Sequence, residues 1–131
     1  MTVPAHLRYN TDHEWLAETD GTVTVGMTQY AVDALGDIVY AQLPSVGARL
    51  LAGESCGAVE SNKAVSDVLA PASGQVVAVN EVARAEPGLM NRDPYGEGWL
   101  FRILATDVGT TITAAEYEAF TRLPRPKTEY C

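Results

Sequence analysis

The residue best suited to chemistry is a lysine. Of the nine basic residues only two are lysines, Lys63 and Lys127, and the other seven are arginines. Lys63 lies in Gly57-Ala-Val-Glu-Ser-Asn-Lys-Ala-Val-Ser-Asp-Val-Leu-Ala-Pro71. This segment reads as two short strands with a bend at about Ser61–Lys63, because Ser and Asn side chains bond to neighbouring backbone groups and favour turns. A lysine at such an apex stands clear of the surface on a rigid support. That suits an amine that a modifying enzyme must reach, and that must then serve as a fixed pivot for a bulky acyl group. Glu60 and Asp67 flank it, with small residues beside it. The same features fit an ordinary solvated lysine in a turn, and spacing alone leaves both readings open.

Other candidates carry less. The two histidines, His6 and His13, form no His-x-x-x-His pair and have no nucleophile at workable spacing. His13-Glu14-Trp15 reads as structural, with Trp15 buried and His13 at the edge of a strand. Cys56, beside Gly57, reads as a small buried cysteine with nothing nearby to lower its pKa, and Cys131, the last residue, as an exposed tail thiol. Gly53-x-x-x-Gly57 is not a phosphate loop, since no Gly-Lys-Ser/Thr follows it. Asp93-Pro-Tyr-Gly-Glu-Gly-Trp99 reads as a turn packed by aromatics. On these terms there is no catalytic constellation, and the chain reads as a carrier or binding module.

The elements that must position Lys63 are short. Eleven glycines and seven prolines punctuate the 131 residues. Between them lie runs rich in Val, Ile, Leu, Thr and Tyr: Thr22–Val25, Ile38–Leu43, Ala58–Glu60, Val65–Leu69 and Gly74–Val79. Such runs predict a mainly β fold of short antiparallel strands, a sandwich or barrel, and they are too closely spaced for βαβ crossovers. Thr28 is placed to cap a helix through Leu35, with Gly36 as its terminator. Thr113-Ala-Ala-Glu116 has the form of a capping box, opening a helix near 114–123 with Tyr117 and Phe120 on one side and Pro124 ending it. Residues 1–131 read as one domain, with 124–131 a loose tail.

Composition narrows the function classes. Nine Lys+Arg against seventeen Asp+Glu give a net charge of −8, and without a basic cluster this argues against nucleic-acid binding. Apolar stretches such as Val76–Val79 are far too short to span a membrane. Two distant cysteines do not make a disulfide framework. The N-terminus lacks the basic-then-apolar pattern of a secretory signal, so a cytoplasmic location is expected.

A series of blocks then carries a resemblance: Tyr9-Asn-Thr-Asp-His-Glu-Trp15, Val25-Gly-Met-Thr-Gln-Tyr-Ala31, Leu35-Gly-Asp-Ile-Val39, Gly57-Ala-Val-Glu-Ser-Asn-Lys-Ala64 with Ser66-Asp67, and Asn91-x-Asp-Pro-Tyr-Gly-x-Gly-Trp99. In this order, from about residue 7 to 123, they resemble the glycine cleavage system H protein family. The resemblance implies a flattened barrel-sandwich hybrid with a lipoyl-lysine on a β-hairpin. Lys63 matches the lipoylated lysine through its Glu-Ser-x-Lys-Ala frame, in which Glu60 and Ser61 serve recognition by a lipoyl-attaching enzyme. The cofactor would be lipoate. The protein would be a carrier and not an enzyme, moving an aminomethyl group from glycine decarboxylase, a pyridoxal-phosphate enzyme, to aminomethyltransferase, with reoxidation by dihydrolipoyl dehydrogenase. Glu14 and Asp67 match the carboxylates of a cleft that shelters the loaded arm, and Tyr30 lies in its matching wall, Thr28–Ala31. Asn62 stands where the family usually has valine, and Tyr30 where histidine is frequent. Rival readings are an H-protein-like carrier acting in lipoate relay, or a lipoyl or biotinyl swinging-arm domain of another complex. Biotinyl domains flank their lysine with methionines, and the lipoyl domains of 2-oxoacid dehydrogenases lack the Asp-His-Glu-Trp and Asp-Pro-Tyr-Gly-Glu-Gly-Trp blocks.

Overall fold

The computed structural model describes residues 3–122. The expected helix end at Leu123, the tail, Lys127 and Cys131 lie outside them. Among the described residues nine strands and four helices follow in the order β1 (Arg8–Tyr9), β2 (Glu14–Thr19), β3 (Thr22–Met27), α1 (Gln29–Leu35), β4 (Ile38–Gln42), β5 (Arg49–Leu50), β6 (Ser55–Ser61), β7 (Val65–Leu69), β8 (Ala72–Val79), α2 (Glu81–Ala85), α3 (Leu89–Arg92), β9 (Phe101–Val108) and α4 (Ala114–Thr121). Every pairing is antiparallel. A six-stranded sheet runs β1-β2-β3-β9-β8-β5 and a three-stranded sheet runs β4-β6-β7. The architecture is thus mainly β, two sheets and not a closed barrel.

The main core draws on both sheets: Val23, Val25, Val76, Phe101 and Ile103 from the larger, Ala41, Val59 and Val68 from the smaller, with Val32 and Leu35 of α1. The alternation of buried and exposed residues along β3 and β8 puts these side chains on the inner faces. A second cluster, with Tyr9, Trp15 and Tyr117 at its centre, seats α4 against the β1–β2 end. Gly26 faces Trp15 across the β2–β3 pair, and a Cβ there would clash with the indole at its Cε2. The β2–β3 turn is Asp20-Gly21, both with positive φ (51° and 82°), the arrangement whose twist matches a two-residue hairpin.

Both predicted helices are present. Thr28 Oγ1 accepts from the Ala31 N–H at 3.2 Å, and the Gly36 N–H closes α1 on the Val32 carbonyl. The capping box at Thr113 and Glu116 is complete. Two further short helices, α2 and α3, have no clear sequence signature, since each is only a turn or so long. They are fastened by asparagines. Asn80 caps α2 and donates to the Glu97 and Trp99 carbonyls. Asn91 on α3 accepts from the Ile38 N–H and donates to the Gly36 carbonyl, both at 2.9 Å. That clamp fixes the segment joining α1 to β4.

Candidate functional site: a lysine-tipped hairpin beside an acidic cleft

Strands β6 and β7 pair from Ser55↔Leu69 to Glu60↔Val65 and close in a tight turn. The Ser61 N–H donates to the Ala64 carbonyl at 2.8 Å, while Ser61 Oγ accepts from the N–H groups of Lys63 (3.3 Å) and Ala64 (3.1 Å). Ser61 therefore builds the bend, as a turn-forming hydroxyl should. Lys63 is exposed at its apex, and its amine has no ion-pair partner among the described residues. The side chain lies over Gly36, where a Cβ would come within 3.2 Å of Lys63 Cε.

Beside the hairpin opens a cleft of about 240 Å³, walled by Asp12, His13 and Glu14 on one side, Tyr30, Ala31, Ala34 and Leu35 of α1 on another, and Ser66–Val68 of β7 on the third. Three of these residues, Glu14, Tyr30 and Asp67, were predicted from the sequence. Glu60 is not among them. It sits half-buried in the smaller sheet between Tyr40 and Val65, so its place is beside the lysine and away from the cleft. Asp67, on β7, is four residues from Lys63 in the turn, at most roughly 13 Å at the rise of an extended chain, which is close to the span of an acyl arm on the lysine.

Glu14 sets the electrostatics. It is 3 % exposed, and burial pushes its carboxyl up to about 8, with Asp12 adding to the rise and the Asn10 amide and, more weakly, the Leu69 backbone opposing it. Asn10 Nδ2 donates to Glu14 Oε1 at 2.9 Å, but Oε2 has no hydrogen-bond partner. Leaving a buried carboxylate oxygen unpaired is costly, so near neutrality this group holds a proton. The charged residues lining the cleft are all acidic: Asp12, Glu14 and Asp67.

The sequence predicts a structural place for His13 at a strand edge. It does directly precede β2, but it also lines the cleft, its ring stacked on Tyr30 at 4.5 Å between centroids. Its backbone φ is 64°, which the sequence does not announce. Cys56 is half-buried rather than buried, its thiol 3.4 Å from the Val68 carbonyl. Burial pushes it up to about 12, so it is a poor nucleophile. No group of three metal-ligating side chains occurs among the described residues, and no helix there is long and apolar enough to cross a membrane. The Asp93–Trp99 turn packs as expected, with Trp15 Nε1 donating to the Pro94 carbonyl at 2.8 Å and Tyr95 tilted against the Trp15 ring.

An exposed amine on a rigid hairpin, beside a cleft whose charged lining is acidic, suits a carrier domain that presents a tethered group. Comparison with known proteins agrees. The sequence profile of the Glycine cleavage H-protein family matches residues 7–123. The glycine cleavage system H protein of Beutenbergia cavernae is 49 % identical over 92 % of this chain and 98 % of its own length, and that of Klebsiella pneumoniae is 51 % identical over 89 % and 94 %. The crystal structure of a glycine cleavage system H protein from Mycobacterium marinum superposes with a TM-score of 0.89 at 50 % identity, covering 92 % of this chain and all of that one. The chain belongs to the glycine cleavage H-protein family, and it is a carrier component of the glycine cleavage system. The match displaces the biotinyl and 2-oxoacid dehydrogenase readings.

Proposed function

We propose that Lys63 is the attachment site of lipoate and that the cleft around Glu14 shelters the cargo end of the arm. The observation that carries this reading is the pairing of an exposed apical amine with a buried, unpartnered carboxylate oxygen in the neighbouring cleft. The residues present fit the group. Lys63 has an unencumbered amine, Gly36 leaves room beneath its side chain, and an arm of about ten bonds beyond Cα reaches roughly 12 Å. When attached to Lys63, the dithiolane would supply the redox-active sulfurs that carry an aminomethyl group between glycine decarboxylase and aminomethyltransferase, with dihydrolipoyl dehydrogenase to restore the disulfide.

The chain's own part is to hold and exclude. Ser61 fixes the pivot, and Glu60 presents a carboxylate beside it for the lipoyl-attaching enzyme. Glu14 releases its proton to solvent as a cationic amine enters the cleft and pairs with it, because an ion pair there replaces an orphaned oxygen. Asp67 faces the same space, and the apolar side chains of Met27, Leu35 and Val68 exclude the water that would hydrolyse the cargo. Residues 1–131 act as a single lipoyl-carrier domain working in the cytoplasm.

Intact-mass measurement on protein from cells with and without lipoate synthesis tests the attachment. The peptide holding Lys63 is expected to gain one lipoyl amide and the peptide holding Lys127 none, and Lys63→Arg should abolish the gain. An unmodified Lys63 peptide from lipoate-replete cells would overturn the proposal.

A further inference from the structure

One wall of the cleft is tied to α4 by a line of hydroxyls. Tyr117 of α4 is fully buried, and its hydroxyl lies 2.7 Å from Thr28 Oγ1 on one side and 2.7 Å from His13 Nδ1 on the other. Thr28, also fully buried, already accepts the Ala31 N–H with the same oxygen. Its own proton needs an acceptor, because a buried hydroxyl without one forfeits a hydrogen bond. The Tyr117 oxygen is the acceptor in place. The Tyr117 proton then points to His13 Nδ1, which can accept it only when that nitrogen is bare.

We propose that Tyr117 is a positioning residue for the cleft: its hydroxyl relays a fixed hydrogen-bond direction from Thr28 to His13, holding the imidazole as the Nε2–H tautomer stacked on Tyr30. The geometry around His13 is arranged for this. Its left-handed backbone, uncommon outside glycine, is held by the His13 N–H on the Asn10 carbonyl (3.3 Å) and by the Thr28 N–H on the His13 carbonyl (3.1 Å). Asn10 Oδ1 accepts from the N–H groups of Asp12 and Glu14. The main chain therefore aims the ring, and the relay sets its rotation and protonation. Tyr9 stacks on the Tyr117 ring at 5.0 Å, and Phe120 of the same helix lies against His13. Burial pushes the Tyr117 hydroxyl up to about 12, so its proton stays available for donation. Helix α4, remote in sequence from every residue of the cleft, thus shapes the wall against which a cationic cargo would lie.

The tautomer is read on the unacylated chain, so this inference can fail or hold apart from the lipoyl reading on which its functional meaning rests. Long-range ¹H–¹⁵N correlation under mildly alkaline conditions distinguishes the two ring nitrogens, and a His6→Gln variant assigns the signals. In the unsubstituted chain His13 should carry its proton on Nε2, and a proton on Nδ1 would overturn the relay. Tyr117→Phe keeps the ring and removes the hydroxyl. It is expected to leave His13 as a mixture of tautomers, whereas retention of the pure Nε2–H form would overturn the proposal. Thr28→Ser should keep the single tautomer and Thr28→Val lose it, which a purely structural role for these hydroxyls would not produce. On the loaded carrier, Tyr117→Phe should release ammonia about threefold to tenfold faster, the factor one neutral hydrogen bond is worth. An unchanged release rate would overturn the role in shaping the cleft. Failure of Lys63 to acylate would overturn the lipoyl reading and leave the tautomer result standing.

Discussion

Glu14 concentrates the physics of the site in one side chain. Its carboxyl is near its ordinary value in an unfolded chain and is raised to about 8 in the folded one. Between those two values the folded state binds a proton that the unfolded state has released. Stability from this group is therefore full below about pH 4.5 and is lost as pH rises toward 8, at up to about 1.4 kcal/mol per pH unit. Glu14→Gln keeps the shape and can still accept from Asn10, but it cannot titrate. Denaturant melts of the two proteins across this range should show the wild type losing ground to the variant as pH rises. Parallel pH profiles would mean that Glu14 is ionised and solvated after all. The same substitution removes the buried carboxylate that would pair with a cationic amine and leaves only Asp12 and Asp67 in the cleft, so ammonia release from a loaded Glu14→Gln carrier should be faster, as it should for Glu14→Ala, with wild-type rates counting against both assignments.

At the scale of elements, the junction of α1 and β4 is where the hairpin meets the cleft. Gly36 ends α1 at φ 87°, ψ −159°, a region essentially reserved for glycine, and Lys63 lies over its open face. Gly36→Ala should cost about 1–3 kcal/mol in denaturant melts and push the lysine stem away from its seat. No loss of stability would show that the backbone there relaxes freely. Gly26→Ala should also destabilise, because Trp15 fills the space of the missing Cβ. What could be read from the sequence divides along the same line. Thr28, Gly36, Thr113 and Glu116 act within one turn of chain, so their spacing alone predicts both longer helices, and Ser61 likewise predicts the bend. Helices α2 and α3 are held instead by Asn80 and Asn91 bonding to segments 17 to 55 positions away, and no local pattern encodes that. The cleft shows the same limit. Glu14, Tyr30 and Asp67 came from matching motifs, whereas His13's left-handed backbone and the reach of Tyr117 across 104 positions arise only once the chain has folded.

For the whole molecule the governing quantity is charge. Seventeen acidic against nine basic residues leave a net −8, and apart from Lys63, whose charge an amide would remove, the lysine's immediate neighbours Glu60 and Asp67 are acidic. A carrier must leave each partner as readily as it arrives, so long-range attraction that speeds encounter serves it better than a large apolar interface. Partners would meet it with basic surfaces, and such steering is screened as the Debye length shrinks from about 30 Å at 0.01 M salt to about 8 Å at 0.15 M. The KM of aminomethyltransferase for the loaded carrier should therefore rise with ionic strength while kcat stays nearly constant, because salt weakens docking and not the chemistry. Replacing Glu81 and Glu86 of the α2 region, exposed and paired among the described residues with Arg84 and Arg92, should move KM less than an equal charge change at Glu60 beside the lysine, since screening confines each charge's influence to about 8 Å at 0.15 M salt. A KM indifferent to salt would place the recognition in the exposed apolar side chains of Tyr40 and Val65, which flank Glu60 on the smaller sheet.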